Sequence, residues 1–201
     1  MTKTDRGRLI VVSGPSGAGK STVISSVMSK RDDLAFSVSA TTRAPRQGEV
    51  DGKDYFYISR EKFQEMIENN EFLEYAQYVG NYYGTPRQAV EERLAQGTTV
   101  ILDIEVQGAA NVRKSMPDAV TVFLIPPSFE ELEKRLRGRN KDSEEKIRGR
   151  LEQAKCEYAQ APNYDYIVIN DDADVAAKEF DSIITAEKCR TAGRIKYIVE
   201  E

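Results

Sequence analysis

Residues 9–21 read LIVVSGPSGAGKS, a short apolar run joined directly to a glycine-rich turn. The β-branched run Leu9–Ser13 is typical of a strand buried in a parallel sheet. Gly14–Ser21 follows at once and matches G-x-x-x-x-G-K-[ST], the pattern of a loop whose backbone N–H groups hold phosphate. A helical pattern begins at Ser21, so the motif has the strand and the helix that it requires on either side. The stretch predicts a P-loop on an α/β sheet.

Each residue of this loop is a candidate contact for a nucleotide that donates a phosphoryl group. Lys20 can reach the β- and γ-phosphate oxygens, and the Ser21 hydroxyl can ligate Mg²⁺. The helix that follows directs its positive N-terminal end at the same anion. The predicted contacts are Gly14, Pro15, Ser16, Gly17, Ala18, Gly19, Lys20, Ser21 and Thr22.

Three further apolar runs resemble the first and alternate with helical patterns. The runs are Thr99–Ile104, Val120–Ile125 and Tyr166–Ile169, and the helical patterns are Ser21–Ser29, Gln88–Gln96 and Phe129–Arg137. Strands that alternate with helices form βαβ units with right-handed crossovers. We therefore expect an α/β fold whose core is a parallel sheet flanked by helices.

Two regions interrupt this rhythm. Residues 35–81 carry alternating and turn-rich patterns, together with an amphipathic helix at Arg60–Asn70 that places Phe63, Met66 and Ile67 on one face. This region predicts a small mixed sheet with a helix. Residues 133–156 are helical in pattern and densely charged, and a solvated surface explains them as readily as a ligand site does.

The composition of the 201-residue chain narrows the classes of function. The length fits one α/β-sized core, and a net charge of -4 argues against a general nucleic-acid binder. The absence of histidine excludes Ser-His-Asp and Cys-His chemistry. Two cysteines are too few for a disulfide framework and indicate reduced thiols. With no signal-peptide or membrane-span pattern, we expect a cytoplasmic protein without a membrane or nucleic-acid partner.

Acidic residues end the second apolar run, where the sequence reads ILDIEVQG. Asp103 and Glu105 alternate, so both carboxylates can face the phosphate-binding end of the sheet. Asp103 is the better candidate for a water-mediated partner of Mg²⁺. An ordinary acid at the end of a strand remains the alternative interpretation.

A P-loop is also consistent with hydrolysis of GTP or ATP. GTPases read guanine with N-K-x-D after a strand, but Asn140–Ser143 reads NKDS, which lacks that spacing and lies in the charged helical region. The GTPase interpretation therefore has no support from base recognition. A small-molecule kinase would instead need a second subdomain for its acceptor.

Six separated motifs resemble those of the guanylate kinase family, in its bacterial form, within the nucleoside monophosphate kinase group. They are the P-loop, SATTRAPRQGEVDGKDY from Ser39, EFLEYAQYVGNYYGT from Glu71, ILDIEVQGA from Ile101, PPSFEELEKRLRGR with DSEEKIRGRL from Pro126, and IVIND from Ile167. The resemblance implies one domain built of a core (about 1–34, 82–125 and 157–201), an inserted GMP-binding region (about 35–81) and a lid over ATP (about 126–156). It also implies that ATP, with Mg²⁺, phosphorylates GMP and also dGMP. The oligomeric state stays open.

The resemblance further implies a set of acceptor-binding residues. The GMP phosphate would be held by Ser39, Arg43, Arg46, Tyr55 and Tyr83. A phosphate dianion suits guanidinium forks and hydroxyls, because each charge-assisted hydrogen bond also fixes orientation. The guanine edge would meet Glu74, Thr85 and Glu105, and Gly84 would be a further contact with the substrate. The family often has Asp at position 105, so the contact made by the longer Glu105 is left open.

The donor side of the resemblance involves the lid and the last strand. Arg135, Arg139 and Arg150 would close over the triphosphate and, with Lys20 and Arg43, neutralise charge during transfer. Asn140 stands where the family has glycine, and asparagine tolerates the left-handed backbone of such a turn. Asn170 would lie on the adenine side, although a strand-end turn residue is the alternative. The attacking group is a phosphate oxygen, ionised at neutral pH, so no general base is required.

Two other functions stay in view. Related domains act as non-enzymatic interaction modules in scaffold proteins, but such modules typically have a damaged P-loop, and here GPSGAGKS is intact. A kinase for another acceptor, such as AMP or a phosphorylated sugar, is the nearer rival. Glu74 with Thr85 is the feature that opposes it.

Overall fold

The computed structural model describes residues 5–78, 80–138 and 143–198. The strands are β1 Leu9–Ser13, β2 Leu34–Phe36, β3 Ala40–Thr41, β4 Phe56–Tyr57, β5 Phe72–Tyr78, β6 Asn81–Pro86, β7 Thr99–Asp103, β8 Val120–Ile125 and β9 Tyr166–Ile169. The α-helices are α1 Lys20–Met28, α2 Arg60–Glu68, α3 Arg87–Ala95, α4 Val106–Ser115, α5 Phe129–Gly138, α6 Glu144–Tyr158, α7 Ala173–Lys188 and α8 Thr191–Arg194.

The first sheet is parallel throughout, in the order β2-β7-β1-β8-β9. Strand β1 lies at its centre, and all five of its residues are buried. Burial on both faces explains why this strand is an unbroken apolar run rather than an alternating one. The carboxyl ends of parallel strands share one edge, so the P-loop after β1 and the acids after β7 meet there. The α/β fold with a parallel core is confirmed.

Each face of this sheet has its own apolar core. Ile10 and Val12 of β1 pack on one face with residues of α1 and α7, such as Val23 and Phe180. Leu9, Val11 and their neighbours pack on the opposite face with residues of α3 and α4. The two layers of helices hold the edge that carries the P-loop rigidly in place.

The second sheet is mixed, in the order β4-β3-β6-β5. Phe63 of α2 is fully buried beneath it, with Met66 and Ile67 partly buried against the same cluster. The predicted mixed sheet and its amphipathic helix are therefore confirmed. Strand β2 belongs to the first sheet and β6 to the second, so both sheets extend past the boundaries expected near residues 34 and 81. The division into subdomains stays a prediction.

Helices α5 and α6 pack on each other through Leu132, Leu136, Ile147 and Ala154. They occupy the region expected to form the lid. A cap begins α6, where the Ser143 hydroxyl accepts from the N–H of Lys146. Arg139 and Asn140 lie outside the described residues.

The sequence patterns do not predict α4 and α7. The start of helix α7 does carry a sequence signal, the acidic residue Asp172. Its carboxylate accepts hydrogen bonds from the N–H groups of Asp174 and Val175. Helix α4 has no such side-chain cap and contains a glycine, Gly108, so its local signal is weak. Among the described residues, no helix combines the length and apolar content that crossing a membrane requires.

Candidate active site

The P-loop is shaped by glycines that no other residue can replace without rearrangement. Gly14 has a φ of 147°, and a Cβ added there would lie 2.0 Å from the carbonyl oxygen of Leu124. Gly19 has a φ of 93° and immediately precedes α1. Both backbones lie in the region that favours glycine. The predicted cradle therefore has the geometry of a phosphate-binding nest in front of a helix N-terminus.

Lys20 folds back over this loop. Its Nζ donates to the carbonyl oxygen of Gly14 at 2.8 Å and lies 3.8 Å from Oδ1 of Asp103. The predicted cation and the predicted Mg²⁺-side carboxylate are thus brought together at one edge of the sheet. Burial raises the pKa of Asp103 above its ordinary value, and the charge of Lys20 opposes that shift. Ser21 and Thr22 are exposed at the start of α1, open to an incoming nucleotide.

Glu74 and Thr85 form the most deeply buried polar pair of the second sheet. They are cross-strand neighbours on β5 and β6, and the Thr85 hydroxyl donates to Oε1 of Glu74 at 2.6 Å. Helix α4 closes over the carboxylate, and a Cβ added at Gly108 would lie 3.0 Å from Oε2 of Glu74. Burial raises the pKa of Glu74, and nearby Glu105 raises it further, while the hydrogen bonds from Thr85 lower it. The structure thus brings three predicted guanine-side residues together.

Arg43 is held by a carboxylate that the sequence patterns did not single out. Its Nη2 donates to Oε1 of Glu49 at 2.9 Å, and its Nη1 donates to the carbonyl oxygen of Ala44 at 2.8 Å. The other oxygen of Glu49 accepts from the Arg46 N–H at 2.7 Å and from the Tyr57 hydroxyl at 2.8 Å. A carboxylate therefore joins Arg43, through its side chain, to Arg46, through its main chain.

The charges of this network reinforce one another. The Arg43 guanidinium, followed by the donors Arg46 N–H and Tyr57 hydroxyl, lowers the pKa of Glu49 to about 2. Glu49 in turn holds the pKa of Arg43 well above its ordinary value. Burial, followed by the hydrogen bond to Glu49, raises the pKa of Tyr57 to about 12. Glu49 lies inside the motif that begins at Ser39, and Tyr57 lies two residues beyond its last residue, Tyr55. A search of that motif for phosphate ligands does not single out an acid.

Aromatic rings surround the Arg43 guanidinium. Its Cζ lies 5.4 Å from the ring centroid of Tyr55 and 5.9 Å from that of Tyr57, within the range of cation–π attraction. The ring of Tyr83 meets that of Tyr55 edge-on, with centroids 6.1 Å apart. Ser39 lies between β2 and β3, and the Arg46 side chain is exposed. The predicted phosphate contacts Arg43, Tyr55 and Tyr83 thus cluster, whereas Arg46 joins them only through its backbone.

The two predicted lid arginines that the structure describes, Arg135 and Arg150, lie on α5 and α6. Arg135 donates through Nε to Oε1 of Glu131 at 2.9 Å, one turn earlier on α5. Arg150 lies on α6 and is partly buried. Arg139 falls outside the described residues, so its predicted place beside Arg135 is not examined by the structure.

Two further polar residues lie close to the P-loop. The Asn170 side chain donates to the carbonyl oxygen of Ala18 at 2.7 Å in a buried position. Glu157 of α6 has a pKa raised by burial, opposed by the charge of Lys20 and reinforced by that of Glu105. The sequence carries no local signal for Glu157. In a densely charged helix, a partly buried acid looks the same in the sequence as the exposed acids around it.

The parallel sheet and the glycine-rich loop place the protein in the class of P-loop α/β proteins. A family profile described as guanylate kinase matches residues 6–187. The guanylate kinase of Streptococcus thermophilus strain CNRZ 1066 is 55% identical over 188 residues, which cover 93% of this chain and 90% of that protein. The guanylate kinase of Thermus thermophilus is 50% identical over 195 residues, covering 97% of this chain and 88% of that protein.

A solved structure agrees with these relatives. The crystal structure of guanylate kinase from Anaplasma phagocytophilum matches with a TM-score of 0.71 and 34% identity, covering 96% of this chain and 92% of that one. The family profile and these relatives each cover most of the chain, and the relatives match it at about half identity. The chain belongs to the guanylate kinase family.

Proposed function

We propose that this protein transfers the γ-phosphoryl group of ATP to GMP and forms ADP and GDP. The observation that carries the proposal is the Glu74 carboxylate, nearly buried beneath α4 and fixed by the Thr85 hydroxyl. Its remaining oxygen can accept from the N1–H and the exocyclic amine of guanine. Adenine has neither donor at these positions, so it would leave a buried carboxylate unpaired.

The transfer needs positioning and neutralisation of charge more than it needs covalent chemistry. An oxygen of the GMP phosphate is the nucleophile and attacks the γ-phosphorus in line with the leaving ADP oxygen. Arg43, Arg46, Tyr55, Tyr83 and Ser39 orient the acceptor phosphate. Lys20 and the lid arginines Arg135, Arg139 and Arg150 balance the charge of the donor, and the loop Gly14–Thr22 holds its phosphates.

The donor set around Lys20 fits a magnesium ion. Ser21 offers a hydroxyl and Asp103 a carboxylate, which are the hard oxygen ligands that Mg²⁺ prefers, and Mg²⁺ usually retains several water molecules. When bound, the ion would neutralise part of the negative charge on the phosphates of ATP. Ser21 would hold it directly and Asp103 through water.

The same proposal assigns parts to the chain. Residues of about 35–81 bind GMP, and residues of about 126–156 close over ATP and exclude water, which would otherwise hydrolyse it. The core of about 1–34, 82–125 and 157–201 holds the P-loop still. dGMP is an expected second acceptor, and the cytosol is the expected compartment.

A coupled assay of ADP release across GMP, dGMP, AMP, UMP and CMP tests the proposal. We expect rapid turnover with GMP and a value of kcat/KM for AMP that is lower by a factor of about 10⁴. Comparable turnover with AMP or a pyrimidine nucleotide would contradict the assignment of GMP. Phosphorylation of none of the five would favour an interaction module.

A further inference from the structure

Asn170 contacts the P-loop through its side chain. It follows β9 directly, and its N–H donates to the carbonyl oxygen of Ile125 at 2.7 Å, so the sheet fixes its backbone. Its side-chain Nδ2 donates to the carbonyl oxygen of Ala18 at 2.7 Å. Only 4% of the residue is exposed. The tip of the last strand of the parallel sheet is therefore tied to the middle of the P-loop.

This hydrogen bond acts on the orientation of one peptide unit. The carbonyl of Ala18 and the N–H of Gly19 belong to the same planar, trans peptide, so they point in opposite directions. Asn170 holds the Ala18 carbonyl on its own side of the loop, so the Gly19 N–H points to the opposite side, where a phosphate would bind. The described residues offer no backbone acceptor to the N–H groups of Gly19, Lys20 and Ser21. These donors are the ones that an incoming phosphate would satisfy.

A side chain at position 19 would collide with the Asn170 amide unless that amide moved. A Cβ added to Gly19 would lie 2.3 Å from Nδ2 of Asn170. The glycine is thus required both by its left-handed backbone and by the approach of this amide. The absence of a side chain at Gly19 therefore leaves the space that the amide of Asn170, about 150 positions away in the sequence, occupies.

The second polar atom of Asn170 has no partner. Its Oδ1 is buried and accepts no hydrogen bond from the described residues. An unpaired, buried amide oxygen costs stability, so an apolar side chain would suit a residue that serves packing alone. Among the described residues, the side-chain amide is hydrogen-bonded through its Nδ2, to the Ala18 carbonyl.

We propose that Asn170 is a positioning residue of the phosphate cradle, which anchors the Ala18 carbonyl so that the Gly19 N–H faces the nucleotide phosphates. This inference rests on the proposed binding of ATP at the P-loop. It differs from a contact with adenine, because the anchor acts on the phosphates of any donor, whatever base is attached.

Replacement of Asn170 by Asp tests the anchor. Asp has the same shape but no N–H donor, and its carboxylate faces the Ala18 oxygen. Calorimetric binding of ATP, inorganic tripolyphosphate and GMP would be measured on the full chain at one Mg²⁺ concentration. We expect the affinities for ATP and tripolyphosphate to fall by the same factor, about 10- to 100-fold, by analogy with the range found when residues that orient metal ligands are replaced. GMP binding should be retained.

Two further variants make the result specific. Asn170→Ser keeps a hydroxyl donor and should lose less affinity for tripolyphosphate than Asn170→Asp does. Thr121→Val is the matched control, because Thr121 is also buried and its hydroxyl donates a partly buried hydrogen bond to Asp165 at 2.7 Å, at the end of its strand opposite the P-loop. It should bind all three ligands as the unaltered chain does.

Two results would overturn the anchor, and a third would overturn only the proposed function. Unchanged binding of tripolyphosphate by Asn170→Asp would overturn the anchor, whether or not the affinity for ATP falls. A loss of affinity confined to ATP would indicate that Asn170 recognises adenine. Loss of GMP binding along with tripolyphosphate binding in both Asn170 variants would make the residue a support of the whole fold. An unaltered chain that binds tripolyphosphate but does not phosphorylate GMP would contradict the proposed function and leave the anchor standing.

Discussion

At the scale of single residues, the site depends on charged side chains that are held in buried or partly buried contacts. Lys20 lies between a carbonyl oxygen and the Asp103 carboxylate, and Glu74 lies between a hydroxyl and a helix. Neither arrangement resembles the solvated surface positions that most lysines and glutamates occupy. Their chemistry can therefore be separated from their contribution to folding by single substitutions.

Lys20→Ala should lower kcat by about 10³-fold, because the main cation near the transferring group is lost. The fold should be unaffected, as judged by circular dichroism and the melting temperature. Lys30→Ala, just beyond the exposed end of the same helix, is the control and should retain full turnover. Turnover of Lys20→Ala close to that of the unaltered chain would show that the P-loop is not used.

Glu74→Gln should lower kcat/KM for GMP by about 10²-fold, because the amide presents a donor to one of guanine's donors. The KM for ATP should change little. Steady-state kinetics with each substrate varied in turn measures both effects. Equal losses for the two substrates would argue against a role in reading guanine.

The same variant has a predicted pH signature in stability. Burial raises the pKa of Glu74 in the folded state above its ordinary value of 4.5, so ionisation of this group opposes folding. As the pH rises from about 4.5 through the raised pKa, the unaltered chain should lose stability relative to Glu74→Gln. Urea unfolding at several pH values measures the difference, which should vanish in acid. A Gln variant that is less stable at neutral pH would contradict the expected sign.

At the scale of elements, the packing of α5 links the lid region to the phosphate cradle. A Cβ added at Gly17 would lie 3.1 Å from Cδ2 of Leu136 and 3.2 Å from Cδ1 of Leu132. The same two leucines form the core between α5 and α6. The expected lid therefore has an apolar core of its own, and that same core lies against Gly17 of the P-loop.

Leu136→Ala should reduce the free energy of unfolding by about 2–4 kcal/mol, the cost of a cavity left by a fully buried leucine. Denaturant titration measures the loss. Val175→Ala removes a half-exposed side chain from α7 and should change stability by no more than about 0.5 kcal/mol. A loss below about 1 kcal/mol for Leu136→Ala would mean that this small core contributes little.

How far the sequence predicts the structure differs between elements. Strand β1 with its P-loop follows from a run of five apolar or small residues and a motif, both local signals. Helix α4 and the position of Glu157 do not, because each depends on contacts with segments distant in the chain. The contacts of Glu49 are with residues three to eight positions away, but no sequence pattern marks this acid as the partner of Arg43. Glu74 is intermediate, since its sequence context suggests a surface acid and only the resemblance predicts its role.

At the scale of the whole molecule, α4 packs against β5 and so joins the two sheets, and the expected lid is a third unit. The exposed Cys156 and Cys189 offer native sites for spin labels on α6 and at the end of α7. A label at Glu145→Cys, in a Cys156→Ser background, reports on the opposite end of α6.

Binding of GMP with a non-hydrolysable ATP analogue should shift the distance between labels at positions 145 and 189. Electron–electron double resonance measures this distance. The native pair Cys156 and Cys189 should shift less, since Cys156 lies near the end of α6 that joins the core. Identical distances with and without both ligands would contradict closure of the lid.

The Glu49 carboxylate gives Arg43 a resident counter-ion before any substrate arrives. Tethered six residues away, it acts as an internal competitor, present at a high effective concentration, for the same guanidinium. An acceptor phosphate bound by Arg43, as proposed, would compete with this carboxylate, and a dianion that also contacts the tyrosines would compete better than a singly charged anion. The resident counter-ion would then favour the more highly charged ligand.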